Sequence, residues 1–125
     1  MMRVFLLSAA FALFAVPALA YPTRCVEPYA PVIPDGRTIT KPQLDSVRED
    51  VKRLIAQSDQ YQECLLLELK TERQKAQRKG KEFDPRIEVD IKKMITANQR
   101  NKERVGAEYN GAANAYNEAH PKTNP

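Results

Sequence analysis

Apolar side chains recur at steps of three and four from Leu44 to Leu69, through Val47, Val51, Leu54, Ile55, Tyr61 and Leu65, with Ser58 as the polar member. That period places them on one stripe of an amphipathic helix. Thr40 and Gln43 match a capping box, threonine at the N-cap and glutamine three residues in, and Pro42 is tolerated in a first turn. Gly80 and the Asp84-Pro85 pair end the run. The pattern therefore predicts a helix over 41–79, roughly 55–60 Å long at 1.5 Å per residue. Asp84 as N-cap and Pro85 at the first helical position open a second helix, 85–119. Its stripe reads Ile87, Ile91, Met94, Ile95, Asn98, Asn101, Val105, Tyr109, Ala112, Tyr116 and Ala119. Pro121 stops it, leaving 121–125 as a frayed tail. Gly106 and Gly111 either weaken this helix, by roughly 1 kcal/mol each relative to alanine, or admit another backbone close by.

Two long helices joined by a few residues form an antiparallel hairpin. The expected fold class is all-α: a long, coiled-coil-like two-helix hairpin over 40–120. Folding about residue 81 pairs positions whose numbers sum to about 162. Leu69 then meets Met94, Leu65 meets Asn98, Tyr61 meets Asn101, Ser58 meets Val105, and Val51 meets Ala112. The polar members gather at the middle of the seam. Ser58, Tyr61, Asn98 and Asn101 are expected to share hydrogen bonds there and set the register, as a polar core position does in coiled coils. The alternative is that the asparagines turn to a solvated edge.

Ahead of the helices, Tyr21 to Arg37 carries four prolines, at 22, 28, 31 and 34. Such density favours extended, polyproline-like backbone without internal hydrogen bonds, and Pro34-Asp35-Gly36 signals a turn. The segment 21–39 is thus an extended arm, and its Val26, Tyr29, Val32 and Ile33 imply that it lies on something. With Leu44 at zero and 100° per residue, the main stripe runs from about 260° to 40°, while Cys64 falls near 200° and Leu67 near 140°. The run Leu65-Leu66-Leu67 wraps the helix more broadly than a hairpin needs, and the arm is the nearest cover. Tyr29 either docks beside Leu67 or faces a partner.

Composition changes this picture at the ends. The opening MMRVFLLSAAFALFAVPALA has a positive start at Arg3, an apolar run from Val4 to Val16, and Ala18-Leu19-Ala20 as a small-residue cleavage signal, so residues 1–20 read as a signal peptide. The apolar run is short for a membrane span, and no integral span is expected after cleavage. Pro22-Thr23-Arg24 before Cys25 lacks the small residues of a lipidation signal. Cleavage after Ala20 leaves 105 residues with 19 basic and 16 acidic side chains, a net of +3. Localisation is expected to be periplasmic or secreted. In an oxidising compartment the two cysteines, Cys25 and Cys64, are expected to pair. The bond closes a loop of about 40 residues, worth roughly 4 kcal/mol in the chain-entropy account. That matters because an isolated two-helix hairpin is marginal, and a homodimer forming a four-helix bundle is the expected assembly. Two thiols and His120 do not complete a tetrahedral metal site.

Between positions 70 and 86 lie Lys70, Arg73, Lys75, Arg78, Lys79, Lys81 and Arg86, against only Glu72, Glu82 and Asp84. This hairpin tip, at +4, exceeds the net charge of the whole mature chain. Such a tip either meets a polyanion, an anionic surface or an acidic partner, or is a solvated end kept soluble by charge. Only Phe83 interleaves an aromatic, so nucleic acid is not an expected partner. No serine elbow, glycine-rich loop or paired carboxylate points to catalysis, and no cofactor is expected.

At CVEPYAPVIPDG, SDQYQECL and NQRNKERVGAEYNGA the chain resembles small exported proteins of Gram-negative bacteria, uncharacterised in function, with a proline-rich cysteine segment ahead of two helices. The resemblance implies a periplasmic location, agrees with the pairing of Cys25 and Cys64, and brings no functional residue. The long charged tip departs from that pattern. The expected function is a non-catalytic interaction or structural module of the periplasm, binding another envelope protein. One alternative is polyanion or anionic-membrane-surface binding through the tip. Another is a chaperone-like holdase, which requires an oligomer with a cavity.

Overall fold

The structure, a computed structural model, describes residues 20–122; the expected leader lies outside them apart from Ala20, as do positions 123–125 of the tail. Thr40 caps the first helix, α1 (Lys41–Arg78): its hydroxyl accepts from the Gln43 N–H, and the Gln43 side chain accepts from the Thr40 N–H. The helix closes at Arg78, one residue short of the expected end. Gly80 adopts φ 59°, and the Gly80 and Lys81 amides return to the carbonyls of Gln77 and Ala76. This paired closure needs a left-handed residue, which glycine supplies without steric cost. Asp84 caps α2 (Pro85–Ala119) through the Arg86 N–H, with Pro85 in the first turn.

The two helices pack antiparallel, and there is no strand among the described residues. Side chains that bond across the seam report the register. At its flanks Lys102 reaches Asp59, Gln62 reaches Gln99, and Arg73 reaches Glu88, pairs that sum to 161. In the buried layers, however, Asn98 meets Ser58 rather than Leu65, and Val105 clusters with Val51 rather than meeting Ser58. The core pairs therefore sum to 156 and lie about one heptad from the expected register.

The core is divided. One apolar cluster, toward the hairpin tip, joins Tyr61, Leu65, Leu69 and Ile91 with Cys25 of the arm. A second, toward the open end, joins Val51, Leu54 and Val105, with Ala30 and Ile33 of the arm packed against it. Between them lie Ser58 and Asn98, both fully buried.

The arm is a third rib over this divided core. It starts near the tip, where the Tyr21 N–H donates to Asp90 at 3.2 Å, and a disulfide ties Cys25 to Cys64. Thr23 and the Arg24 amide both bond to the Glu68 carboxylate at 2.8 Å. The arm then runs antiparallel to α1 and ends with Gly36 buried against α2. A Cβ built on Gly36 would stand 1.8 Å from the Ala112 carbonyl oxygen. The close backbone approach anticipated at Gly106 or Gly111 occurs here instead, since a Cβ at either of those meets nothing within 4 Å.

The arm does not cover the wide apolar face of α1. Leu66 and Leu67 stay 55% and 62% exposed. Bonds at Cys64 and Glu68 hold the arm on the ridge at about 200–240° of the helical wheel, short of Leu67 near 140° and across the stripe from Leu66 near 40°.

Gly36→Ala is expected to push the end of the arm off α2 while both helices remain. Overpacking of this kind costs about 1–3 kcal/mol. Urea unfolding should show the loss, and hydrogen exchange should quicken at Ile39 with unchanged helical circular dichroism. Unaltered stability would mean that the arm is not held at Ala112.

Candidate functional site

The seven basic residues of the tip divide into two groups. Arg73 pairs with Glu88 across the seam and lies 4.7 Å over the Phe83 ring. Lys75 pairs with Glu72 at 2.8 Å and Arg86 with Asp84 at 2.9 Å. Lys70, Arg78, Lys79 and Lys81 are exposed and make no ion pair among the described residues. Lys75 and Arg78 occupy the last turn of α1, where cations offset the partial negative charge of the unpaired carbonyls. Part of the tip's charge therefore serves the helix end and the hairpin joint.

At the middle of the seam, the Asn98 amide donates to the Ser58 hydroxyl at 3.3 Å, and Gln62 donates to Asn98 at 2.9 Å and to Gln99 at 3.2 Å. No buried side-chain nitrogen or oxygen among the described residues lacks a partner. Two members of the expected network stand apart from it. Asn101 is half-buried and accepts from Arg104 of its own helix at 2.6 Å. It lies about 60° around α2 from Asn98, at the edge of the seam. Tyr61 buries its ring among Cys25 and Leu65, and its edge lines a groove beside the arm. Gln62, outside the apolar stripe, was not legible as a seam residue, because its long side chain reaches the seam from the edge.

The groove beside the arm is lined by Val26, Glu27, Pro28 and Tyr29 on one wall and by Gln57, Gln60, Tyr61 and Cys64 on the other. Burial, and then the charges of Glu27 and Glu68, raise the Tyr61 hydroxyl above its ordinary pKa. Glu27 makes no ion pair among the described residues, so the groove carries an uncompensated negative charge. Val26 and Tyr29 of the arm's wall, and Val32 further along the arm, are 84%, 98% and 91% exposed. Of the two places open to Tyr29, the structure shows the outward one.

The remaining polar chemistry is structural. Glu68 lies beside both sulfurs. Sulfurs joined in a disulfide offer no thiolate to a metal, and the Glu68 oxygens are already engaged by Thr23 and Arg24. Carboxylates with lowered pKa values are each held by a cation: Asp35 by Arg37, Asp45 by Lys41, Asp84 by Arg86 and Glu88 by Lys92. None of these is a proton donor poised near neutral pH. His120 stacks on Tyr116, with ring centroids 4.3 Å apart, at the end of α2.

Asn98→Ala is expected to leave the buried Ser58 hydroxyl without its partner and Gln62 with Gln99 alone, and to cost about 1–3 kcal/mol. Asn101→Ala, at the edge, should stay within about 0.5 kcal/mol. Urea midpoints compare the two, and equal losses would contradict this division of the seam. A second expectation concerns the turn that ends the arm. Hydrogen bonds from the Arg37 side chain and backbone lower the Asp35 carboxyl from 3.8 to about 2. A depressed folded-state value means that the contribution is present above pH 3.8 and is lost as pH falls through about 2. NMR titration should place the Asp35 midpoint near 2, and Arg37→Ala should return it toward 3.8; a midpoint indifferent to that change would discount the pairing.

No family model, curated protein or solved structure matches this chain, so its fold and surface chemistry alone carry the functional argument.

Proposed function

We propose that this chain is an exported, non-catalytic interaction module of the bacterial periplasm, and that its contact surface is the outer face of the strapped arm. The observation that carries this reading is the exposure of Val26, Tyr29 and Val32 on a segment tied down at both ends. Large apolar side chains held in water without cover mark interaction sites when they cluster. Here the scaffold that presents them is cross-linked, so little ordering entropy is lost on binding. Prolines at 28, 31 and 34 remove backbone donors and discourage strand pairing. A partner therefore reads side chains rather than adding a strand. The partner is another exported polypeptide: it offers an apolar pocket to Tyr29 and a lysine or arginine to Glu27, the single charge lining the groove.

A second reading places the contact at the hairpin tip, where the four unpaired cations Lys70, Arg78, Lys79 and Lys81 would meet an anionic surface or polyanion. Salt separates the two, because binding driven by released counterions weakens steeply as salt rises.

A photoreactive side chain at position 29 of the exported protein is expected to give one discrete cross-linked product. That product should persist at high salt, disappear with Glu27→Lys, and survive reversal of the four tip cations to glutamate. Cross-links obtained only from position 78, and lost with salt, would transfer the site to the tip. Silence from both positions would leave the interaction reading without support.

A further inference from the structure

We infer that Ala20–Tyr21 is a processing site whose product is captured by the fold: the amino group released on Tyr21 forms an ion pair with Asp90. The inference rests on the exported reading above and deepens it, since it gives leader removal a structural consequence.

The Tyr21 nitrogen already lies 3.2 Å from an Asp90 carboxylate oxygen. In the unprocessed chain that nitrogen is a neutral amide with one hydrogen. Hydrolysis by a leader peptidase consumes one water and breaks the Ala20–Tyr21 amide bond. The Ala20 acyl carbon takes the hydroxyl and becomes a carboxylate, while the Tyr21 nitrogen becomes an amine that binds a proton near neutral pH. Its unperturbed pKa is about 7.7–8.0. The same contact thus changes from a neutral hydrogen bond to a charge-assisted one, roughly twice as strong. No atom has to move to make the pair.

Three features of the structure favour this cleavage point. Ala20 is exposed and belongs to no helix or strand, so the bond is open to a protease. Tyr21, immediately after it, is half-buried and packs against the first apolar cluster, so it marks where the fold begins. The surroundings are acidic: α2 contributes Asp90, and α1 contributes Glu68 and Glu72, which raise the Tyr21 hydroxyl after burial itself. The opposing cations are Lys75 of α1 and Arg24 of the arm, with Arg86 one turn before Asp90. Lys75 is held by Glu72 and Arg86 by Asp84. Asp90 makes no ion pair among the described residues, and its carboxylate is free to take the new ammonium.

The test expresses the full chain with its leader, recovers it from the periplasm, and reads two things. Intact mass is expected to show a chain beginning at Tyr21. A chain absent from the periplasm would overturn both the export reading and this inference; a periplasmic chain left uncleaved, or starting elsewhere, would overturn the inference alone. NMR titration of the Tyr21 Hα and Cα resonances should then place the amino pKa about one unit above its ordinary range. Asp90→Asn, which keeps a hydrogen-bond acceptor but no charge, should return it to that range. Because a raised folded-state value favours the protonated form, thermal stability should decline as pH rises through about 8 to 9. That decline should be missing from Asp90→Asn. An amino pKa unaffected by Asp90→Asn in a chain that does begin at Tyr21 would overturn the capture while leaving export standing.

Discussion

Two helices lying side by side enclose no interior, and the structure depends on how that deficit is met. Each helix covers one side of the other's apolar stripe, and residues at the margin need a third surface. Here the third surface is a strip of irregular chain. It adds Cys25 to the cluster near the tip, and Ala30 and Ile33 to the cluster near the open end. A proline-rich segment is suited to this because its unfolded ensemble is already restricted, which lessens the entropy lost on docking. The disulfide at one end and the close fit of Gly36 on Ala112 at the other hold it in place.

The polar layer at Ser58 and Asn98 belongs to the same economy. A continuous apolar seam would let two rods slide past each other by a turn at small cost. A buried amide that must meet a hydroxyl on one side and Gln62 on the other penalises every shifted register by an unpaired polar group. The layer divides the core into two clusters, and the arm contacts both, so the three elements are fixed relative to one another.

The surface chemistry then separates along the length of the molecule. The tip concentrates positive charge, part of which is consumed by the end of α1 and by the joint with α2. The arm presents apolar side chains next to a lone carboxylate. An exposed tyrosine between two exposed valines contributes nothing to the fold that displays it. That separation of roles is why the arm, rather than the more conspicuous basic run, is the stronger candidate for recognition.

Periodicity and local bonding rules, read from the residues alone, determined both helices, their caps at Thr40 and Asp84, the Gly80 closure, the hairpin, and the pairing of Cys25 with Cys64. All of these follow from short-range spacing, or from having two thiols and one way to join them. Tertiary structure alone decided where the arm lies. Leu67 was expected beneath it, but bonds to Cys64 and Glu68 hold the arm on a different ridge. It also decided which polar residues meet. Gln62 enters the seam and Asn101 turns to Arg104, because side-chain reach and a rotation of some 60° about the helix axis are not encoded in a pattern of polar and apolar letters. The contact between Tyr21 and Asp90 joins residues far apart in sequence; no local rule brings them together, and only the docking of the whole arm does.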